Sequence, residues 1–259
     1  MQLAAFETPQ QRNEHPIAGE IREAILIADA NRPRSTQVAI GPSQLGHPCV
    51  RRLAYKLMGH PECNANRTTV WGAVIGTSVH ATLAEAFAQV NDRLGRIRYL
   101  VEQRVEIRPG LRGTCDLYDF DRATAVDFKI VSPAALKEYK LTDPGPTYRV
   151  QGHGYGTGIT RLGLPVAHIA IAFLPRAADI SGMHVWTEPY NPQIVTDALA
   201  RHDATVELIC QLDVEHHPQR YTLIPRTANR LCLYCPYFKA GPDTGVTCPG
   251  DTNVTAPAA

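Results

Sequence analysis

Two runs of strand-forming residues in the middle of the chain constrain its fold more than any other feature. Leu111–Phe120 and Ala125–Val131 are separated by a short polar turn, and together they predict a β-hairpin. Side chains two positions apart lie on the same face of a strand, so Asp127 and Lys129 share one face. The apolar residues that alternate with them are expected to point into a core.

The hairpin predicts a pair of neighbouring carboxylates. Folding the second strand back onto the first brings Asp116 near Asp127. Two carboxylates held close together bind a hard divalent cation such as Mg²⁺ through oxygen. A neighbouring ammonium, here that of Lys129, can orient or help to deprotonate a water that attacks phosphorus. The arrangement is typical of a metal-dependent phosphodiesterase, whereas Asp-x-Lys by itself more often forms a charged, solvated strand face.

Composition narrows the class of protein. The 259 residues are 44% hydrophobic and 20% charged, as in an ordinary globular protein. The sequence shows no signal-like segment and no apolar run long enough for a bilayer, so we expect no membrane contact and a cytoplasmic location, or the host cytoplasm for a phage protein. With a net charge of +1, a basic surface for nucleic acid must be local. Three charge runs could supply that surface or simply be solvated: Arg51-Arg52-Lys56, Arg93-Arg96-Arg98 and Lys137-Lys140.

The clearest helical pattern precedes the hairpin. Trp71–Val90 places Gly76, His80 and Phe87 on one side, which should face the core. A histidine there is usually a satisfied core residue, but a neutral imidazole beside carboxylates also suits Mn²⁺ as a ligand. Glu85 lies about 140° from His80 around the helix, so it cannot readily share the same metal.

A strand is expected directly before the hairpin, at Tyr99–Arg108. Its carboxylates Glu102 and Glu106 lie on one face and could reach a metal through water. Strand parity alone does not choose between this role and an ordinary solvated face, which is the more common case.

A polar motif follows the hairpin. Ser132 is expected to cap a helix that has proline at its first position. Farther on, Gln151 and Tyr155 are four residues apart and therefore neighbours on one helical face. The glycines around them would permit close approach of a backbone or a phosphate. By itself, Gln-x-x-x-Tyr is a weak pattern.

Later segments complete the predicted architecture. Val166–Leu174 suits a strand buried on both sides, Met183–Tyr190 suits its neighbour, and a helix is expected from Pro192 to Leu212. We therefore expect an α/β protein with a mixed central β-sheet flanked by helices. The expected divisions are residues 1–40 as a lead-in and helix, 41–225 as the core, and 226–259 as a cysteine region and tail.

The cysteines form a second pattern. The chain has seven and no export signal, which favours metal ligation or buried thiols over disulfides. Cys232 and Cys235 form a C-x-x-C motif, Cys248 follows a Gly/Pro-rich loop, and Cys49 is the obvious fourth partner. Such a set could hold tetrahedral Zn²⁺ or an iron–sulfur cluster, and the spacing does not separate the two. Three cysteines compete for the fourth position: Cys63, and the two expected buried thiols Cys115 and Cys210.

The order of these motifs resembles a known family. Asp116 followed by Asp127-Phe128-Lys129 resembles the PD-(D/E)xK nuclease superfamily, which implies a restriction-endonuclease-like core. The Gly-x-x-x-His that ends at His80, and the Gln-x-x-x-Tyr of Gln151 and Tyr155, resemble its RecB-like branch. The resemblance implies that His80, Asp116 and Asp127 hold Mg²⁺ or Mn²⁺, that Lys129 acts with the two aspartates in catalysis, and that Gln151 and Tyr155 contact the DNA backbone.

The cysteines extend this resemblance. One upstream cysteine and a C-terminal C-x-x-C…C that bracket the nuclease motifs resemble the CRISPR-associated and AddB-type iron–sulfur nucleases. The implied cofactor is a structural 4Fe–4S cluster on Cys49, Cys232, Cys235 and Cys248, with zinc as the alternative. The implied activity is a DNA exonuclease in recombination, repair or replication, with recombination or CRISPR-type proteins as candidate partners. The alternatives are a non-catalytic nucleic-acid-binding module on the same fold and a DNA endonuclease with a zinc site.

Overall fold

One mixed β-sheet lies at the centre of the chain. The computed structural model of the protein describes residues 16–30, 40–64, 70–227 and 230–250. The five strands are β1 (Tyr99–Arg108), β2 (Leu111–Asp119), β3 (Thr124–Val131), β4 (His168–Pro175) and β5 (His184–Pro189). They lie side by side in chain order. β3 and β4 run parallel, and the other neighbouring pairs are antiparallel.

Helices flank this sheet, which confirms the expected α/β class with a mixed central sheet. The α-helices are α1 (Pro16–Ala30), α2 (Pro42–Leu45), α3 (Val50–Leu57), α4 (Val70–Leu94), α5 (Pro133–Tyr139), α6 (Gly145–Arg161) and α7 (Pro192–Leu212). Short 3-10 turns span Ile180–Gly182, Pro218–Leu223 and Arg230–Tyr234. α5 and α6 form the crossover that a parallel pair such as β3 and β4 requires.

α4 and α6 cover opposite faces of the sheet. Val126 of β3 packs in the cluster that includes Phe87 of α4, whereas its neighbour Ala125 packs with Ile159 of α6. Adjacent residues of a strand point to opposite faces. Side chains from the two helices therefore approach the central strands from opposite sides.

Local signals explain where several elements begin. Ser132 caps α5 as predicted, and its hydroxyl accepts a hydrogen bond from the Ala135 backbone N–H at 3.3 Å. Asn191 caps α7 in the same way. α2 begins at Pro42 and is preceded by Gly41. Proline at the first helical position needs no N–H partner, so it suits the start of this helix.

The glycines of α6 serve packing. A Cβ at Gly158 would lie 2.5 Å from Val105 Cβ, and one at Gly154 would lie 2.9 Å from Ile107 Cδ1. Both partners belong to β1, so these glycines let the helix approach the strand closely. The predicted close approach therefore occurs, but here the approaching group is a strand of the same chain.

The C-terminal part of the chain packs on α3. Tyr55 of α3 is buried together with Tyr221, Ile224 and Tyr237 in one apolar cluster. The Tyr55 hydroxyl donates a hydrogen bond to the Gly245 carbonyl at 2.5 Å. This packing brings the beginning of the core and the cysteine-rich end of the chain together.

Parts of the predicted divisions fall on residues that are not described. The expected lead-in includes residues 1–15 and 31–39, and the expected tail includes 251–259, all outside the described residues. Between the first two ranges, the helix expected within residues 1–40 is observed as α1. The division of the chain at residues 40 and 225 stays a prediction.

Candidate active site

The hairpin of β2 and β3 opens where Asp116 lies. Backbone pairing between the two strands covers Leu117 to Asp119 and ends at the Leu117–Val126 pair. Beyond that point, Asp116 Oδ2 accepts a hydrogen bond from the Phe128 backbone N–H at 2.6 Å. The carboxylate thus replaces a backbone carbonyl in the ladder. This bond fixes Asp116, whose exposure is only 4%, in the opening between the strands.

His80 reaches this opening from α4. Its Nδ1 lies 3.2 Å from Asp116 Oδ1 and 3.9 Å from Glu102 Oε1. The hydrogen bond with Asp116 raises the pKa of His80 above its ordinary value, and this effect outweighs the opposing effect of burial. The edge of the imidazole also faces Phe128, with ring centroids 6.1 Å apart. The structure therefore places His80 beside Asp116, and the ligand role of both residues stays a prediction.

Three ligand atoms converge at this point. Ligand atoms of His80, Glu102 and Asp116 all lie within 4.8 Å of one another, and no other set of three such groups does so within the described ranges. Glu102 has a φ of 47°, a left-handed conformation that is uncommon for a residue with a side chain and is enriched at functional sites. One imidazole and two carboxylates match the preferences of Mn²⁺ or Mg²⁺. The donor set therefore fits a divalent cation.

Asp127 and Lys129 form a pair beside these ligands. Asp127 Oδ2 lies 2.5 Å from Lys129 Nζ, yet this buried oxygen receives no hydrogen bond of good geometry. Burial raises the pKa of Asp127 above its ordinary value, the Lys129 ammonium opposes that rise, and nearby Asp116 adds to it. A buried carboxylate with one unsatisfied oxygen next to another carboxylate favours additional positive charge.

The polar motif of α6, Gln151 and Tyr155, lies close to this pair. Gln151 and Tyr155 are both buried, and Gln151 Nε2 donates a hydrogen bond to the Tyr155 hydroxyl at 2.9 Å. The predicted neighbourhood of these two residues on one helical face is confirmed. Burial, followed by the charge of Asp127, raises the pKa of Tyr155, so its hydroxyl stays protonated near the carboxylates. Gln151 Oε1 is buried without a hydrogen-bond partner. The proposed contact of both residues with DNA stays a prediction.

Sequence reasoning left the role of Glu102 open. Glu102 and Glu106 were expected on one face of β1, but Glu106 pairs with Arg112 at the surface, with its oxygen 3.0 Å from Arg112 Nε. The left-handed backbone at Glu102 breaks the strand geometry from which parity arguments are made. No pattern in the sequence signals that distortion. Asp127, predicted as a ligand, lies outside the compact set of three, and its ligand role stays a prediction.

His153 is a second residue whose importance the sequence did not reveal. Its imidazole is fully buried, with Nε2 2.7 Å from Glu188 Oε1 and Nδ1 accepting from the Asn191 backbone N–H at 3.2 Å. Arg149 binds the same carboxylate through two nitrogens at 2.9 and 2.8 Å. This network ties α6 to β5 and to the start of α7. It takes no part in the candidate active site.

The four predicted cluster cysteines line one recess. Cys49 directly precedes α3, whereas Cys232, Cys235 and Cys248 come from the C-terminal segment. The recess that they line has an empty volume of about 440 Å³, which includes space open to solvent. Its other lining residues include His47, Arg52 and Arg226. Burial raises the pKa of Cys235, and Cys49 and Cys248 are close enough to raise it further. We use the name cysteine recess for this site. The sequence-distant Cys49 therefore joins the C-terminal motif, as predicted.

The competing cysteines lie elsewhere. Cys115 is buried in the sheet as predicted, whereas Cys63 is exposed. The prediction that Cys210 is a buried thiol is wrong, because it lies on the exposed side of α7. Within the described residues, no three sulfurs of the recess lie within 4.8 Å of one another. Four thiolates around one zinc ion, with Zn–S bonds of about 2.3 Å, would lie about 3.8 Å apart.

Two of the three predicted basic clusters bind acidic groups of the protein itself. Arg51 is buried, and its guanidinium reaches Asp243 Oδ2 at 2.7 Å and the carbonyls of Ile224 and Thr222 at 3.0 and 2.8 Å. Arg96 and Arg98 pair with Asp119 at the end of β2 and with Asp121 in the hairpin turn. Their charges are thus largely used for structure. Lys137 and Lys140 on and after α5 are exposed to solvent.

Among the described residues, no helix combines the length and apolar character needed to cross a membrane.

Comparisons with known proteins give distant structural neighbours. No family model and no curated protein sequence matches the chain. Among solved structures, the chain is similar to the alkaline exonuclease LHK-Exo from Laribacter hongkongensis, alone and in complex with dAMP. Each comparison has a TM-score of 0.45 and 12% sequence identity, and each covers 78% of this chain and 100% of that one. It is also similar to a phage-related exonuclease from Haemophilus somnus 129PT, with a TM-score of 0.40 and 16% identity over 64% of this chain and 82% of that one. At such distances, function has to be inferred from the site residues themselves.

Proposed function

We propose that the chain is a divalent-metal-dependent deoxyribonuclease that hydrolyses phosphodiester bonds as an exonuclease. One observation carries the proposal. Ligand atoms of His80, Glu102 and Asp116 converge within 4.8 Å, and the Asp127–Lys129 pair lies beside them. Hydrolysis of a phosphodiester requires a centre that withdraws charge from phosphorus and a group that manages the attacking water, and these residues are chemically suited to both.

The cation is proposed to be Mg²⁺ or Mn²⁺, held by His80, Glu102 and Asp116, with Asp127 next to them. When bound, such a cation acts as a Lewis acid toward the phosphate and makes water a better nucleophile. The protein orients its donors in advance. The Phe128 N–H holds one oxygen of Asp116, which leaves the other oxygen facing His80.

Lys129 supplies a positively charged side chain at this site. Its ammonium lies 2.5 Å from Asp127 Oδ2, and it carries further N–H groups that can donate to a phosphate oxygen. A fixed positive charge at that position stabilises the negative charge that develops during hydrolysis. We propose that Gln151 and Tyr155 add neutral donors that position the DNA backbone.

The finer assignment depends on the order of the motifs along the chain. His80, Asp116, Asp127, Lys129, Gln151 and Tyr155 follow one another as in RecB-like nucleases of the PD-(D/E)xK superfamily. We therefore propose membership of that branch and an exonuclease activity in recombination, repair or replication. We also propose a cytoplasmic location.

For the cysteine recess we propose a structural 4Fe–4S cluster. The four thiols face a common space, and within the part of the chain described no three of their sulfurs lie as close together as three ligands of one zinc ion would. In a cluster each thiolate binds a different iron, which requires a wider spacing than one shared ion. Anaerobically purified protein should contain about four iron and four sulfide per chain. A colourless protein with one zinc per chain would instead favour the zinc site.

The nuclease activity is tested with linear duplex DNA labelled at the 5′ or 3′ end and incubated with Mn²⁺. We expect the wild-type chain to release short products from an end and to leave covalently closed circles intact. Asp127→Asn should lose cleavage by at least about 1,000-fold, because the removed charge is needed for several kcal/mol of transition-state stabilisation.

The matched control is Glu106→Gln. It removes a carboxylate from β1 that pairs with Arg112 at the surface, and it should retain the wild-type rate within about twofold. DNA binding without cleavage in the wild-type protein would contradict the proposed nuclease activity and favour the non-catalytic nucleic-acid-binding module. Cleavage of closed circles would indicate an endonuclease.

A further inference from the structure

An aromatic ring lies directly against the Lys129 ammonium. Lys129 Nζ is 5.0 Å from the centroid of the Tyr148 ring and 2.5 Å from Asp127 Oδ2. A cation within about 6 Å of a ring centroid is attracted by the electron-rich face of the ring. The ammonium therefore has two contacts of different kinds: one with a carboxylate and one with an aromatic face.

Tyr148 extends the polar face of α6 by one turn. Positions 148, 151 and 155 are spaced by three and four residues, so the tyrosine shares one helical face with Gln151 and Tyr155. α6 packs on β3 and β4, the strands that carry Lys129 and Phe173. Lys129 and Phe173 are register partners in that parallel pair. The face that begins at Tyr148 is thus directed toward the strand of Lys129.

The Tyr148 ring is itself held in place by aromatic packing. Its centroid lies 6.1 Å from that of Phe173 and 6.0 Å from that of Tyr139, and these two rings stack on each other at 4.2 Å. Burial raises the pKa of Tyr148, so the ring remains a neutral phenol. A fixed neutral ring is a suitable platform for a cation, because it adds attraction without a competing charge.

The lysine side chain needs such a platform. It has four rotatable bonds and a compact ammonium, so a single contact with Asp127 leaves many conformations open. We propose that Tyr148 is a positioning residue, which holds the Lys129 ammonium between the Asp127 carboxylate and its own ring face. The inference rests on the proposed nuclease function, and it assigns no contact between Tyr148 and DNA.

The contact is tested first without DNA. The chain has five lysines, Lys56, Lys129, Lys137, Lys140 and Lys239. Lysine labelled with ¹³C at the ε carbon therefore gives few signals, and Lys129→Met identifies the one from Lys129. The ring current of Tyr148 should shift the Lys129 ε-methylene protons upfield in the wild-type protein and in Tyr148→Phe. The shift should disappear in Tyr148→Leu. An unchanged signal in Tyr148→Leu overturns the proposal.

The consequence for the reaction is tested by steady-state cleavage of linear duplex DNA with Mn²⁺. Tyr148→Leu should lose about tenfold in kcat with KM within twofold, which corresponds to about 1.4 kcal/mol. Tyr148→Phe should restore kcat to within twofold, because the ring face is retained. In a Lys129→Met background, Tyr148→Leu should cause no further loss.

Phe120→Leu is the matched control. It removes a partly exposed ring that packs on Tyr118 beside the hairpin turn, and its kcat should stay within about twofold of wild type. A Tyr148→Leu loss that persists in the Lys129→Met background, or an equal loss in Tyr148→Phe, overturns the positioning role. A wild-type protein that does not cleave DNA overturns the proposed function instead, while a ring-current shift removed by Tyr148→Leu still supports the contact.

Discussion

The candidate active site and the cysteine recess differ in how the fold assembles them. The candidate active site is made from β1, β2, β3, α4 and α6, and its residues lie between positions 80 and 155. The recess joins Cys49 to three cysteines near the C-terminal end of the chain. The first site is acidic and surrounded by strand backbone, whereas the second contains thiols beside arginines. We propose that the first site serves chemistry and that the second holds distant parts of the chain together.

Asp116→Asn should have the largest effect of these predictions, and that effect should be on cleavage and not on stability. The asparagine side chain can still accept the hydrogen bond from the Phe128 N–H, so the hairpin keeps its shape. It lacks the charge that a divalent cation requires. We expect cleavage to fall by at least about 1,000-fold, while the melting temperature stays unchanged or rises because repulsion with Asp127 is relieved.

The checks for Asp116→Asn are a cleavage assay, Mn²⁺ titration calorimetry and thermal unfolding. Asp121→Asn is the control, since Asp121 forms an ion pair with Arg96 at the hairpin turn, and its rate should remain within about twofold of wild type. Normal cleavage by Asp116→Asn would remove the basis for assigning chemistry to this region.

Cys235→Ser should show the reverse pattern. If the recess holds a cluster that links the two ends of the core, losing one ligand should lower the free energy of unfolding by about 4 kcal/mol or more. The specific activity of the protein that remains folded should stay within about threefold of wild type. Urea unfolding monitored by circular dichroism, together with active-site titration, measures both quantities.

Cys210→Ser is the control for the recess. Cys210 is exposed on α7, and its replacement should change the free energy of unfolding by less than about 0.5 kcal/mol. Equal stability of Cys235→Ser and wild type would mean that the recess has no role in holding the chain together.

The sequence predicted the scaffold of the active site well, because the scaffold follows local rules. Strand parity placed Asp127 and Lys129 on one face, and helical periodicity placed Gln151 beside Tyr155. The bounds predicted for β1 agree with those observed. In each case the residues that determine the prediction lie within about ten positions of one another, and the prediction follows from the geometry of one helix or strand.

The remaining details depend on contacts that no local pattern encodes. The left-handed backbone at Glu102 brings its carboxylate toward His80, and the bond from the Phe128 N–H fixes Asp116 in the opening of the hairpin. Arg51 looked like part of a surface charge run, yet it is buried against Asp243, 192 positions later. A sequence shows that such groups are present but not which ones meet.

Arg51→Met should break the link between the ends without touching a cysteine. Arg51 is buried and bonds to Asp243 and two carbonyls, so its loss removes a donor from both carbonyls and leaves Asp243 with Arg226 at 3.4 Å. We expect a fall of about 3 kcal/mol in the free energy of unfolding, with iron or zinc content unchanged. Arg51→Lys should recover only part of this stability, because an ammonium cannot reproduce the planar guanidinium contacts. An unaffected Arg51→Met protein would leave the recess as the main link between the ends.

The smallest predicted effect concerns acid stability and lies in neither region. Burial lowers the pKa of His153, and its hydrogen bond with Glu188 only partly offsets this. Because Nδ1 accepts from the Asn191 N–H, the neutral imidazole donates from Nε2 to Glu188. The unfolded chain gains a proton below pH 6.5 that the folded protein does not bind, so stability must fall as the pH drops toward the lowered value. His153→Gln, which can make both hydrogen bonds without titrating, should reduce this loss by at most about 1.4 kcal/mol per pH unit. Urea unfolding of both proteins between pH 7.5 and 5.5 measures the difference, and equal slopes would show that His153 binds its proton in the folded state as well.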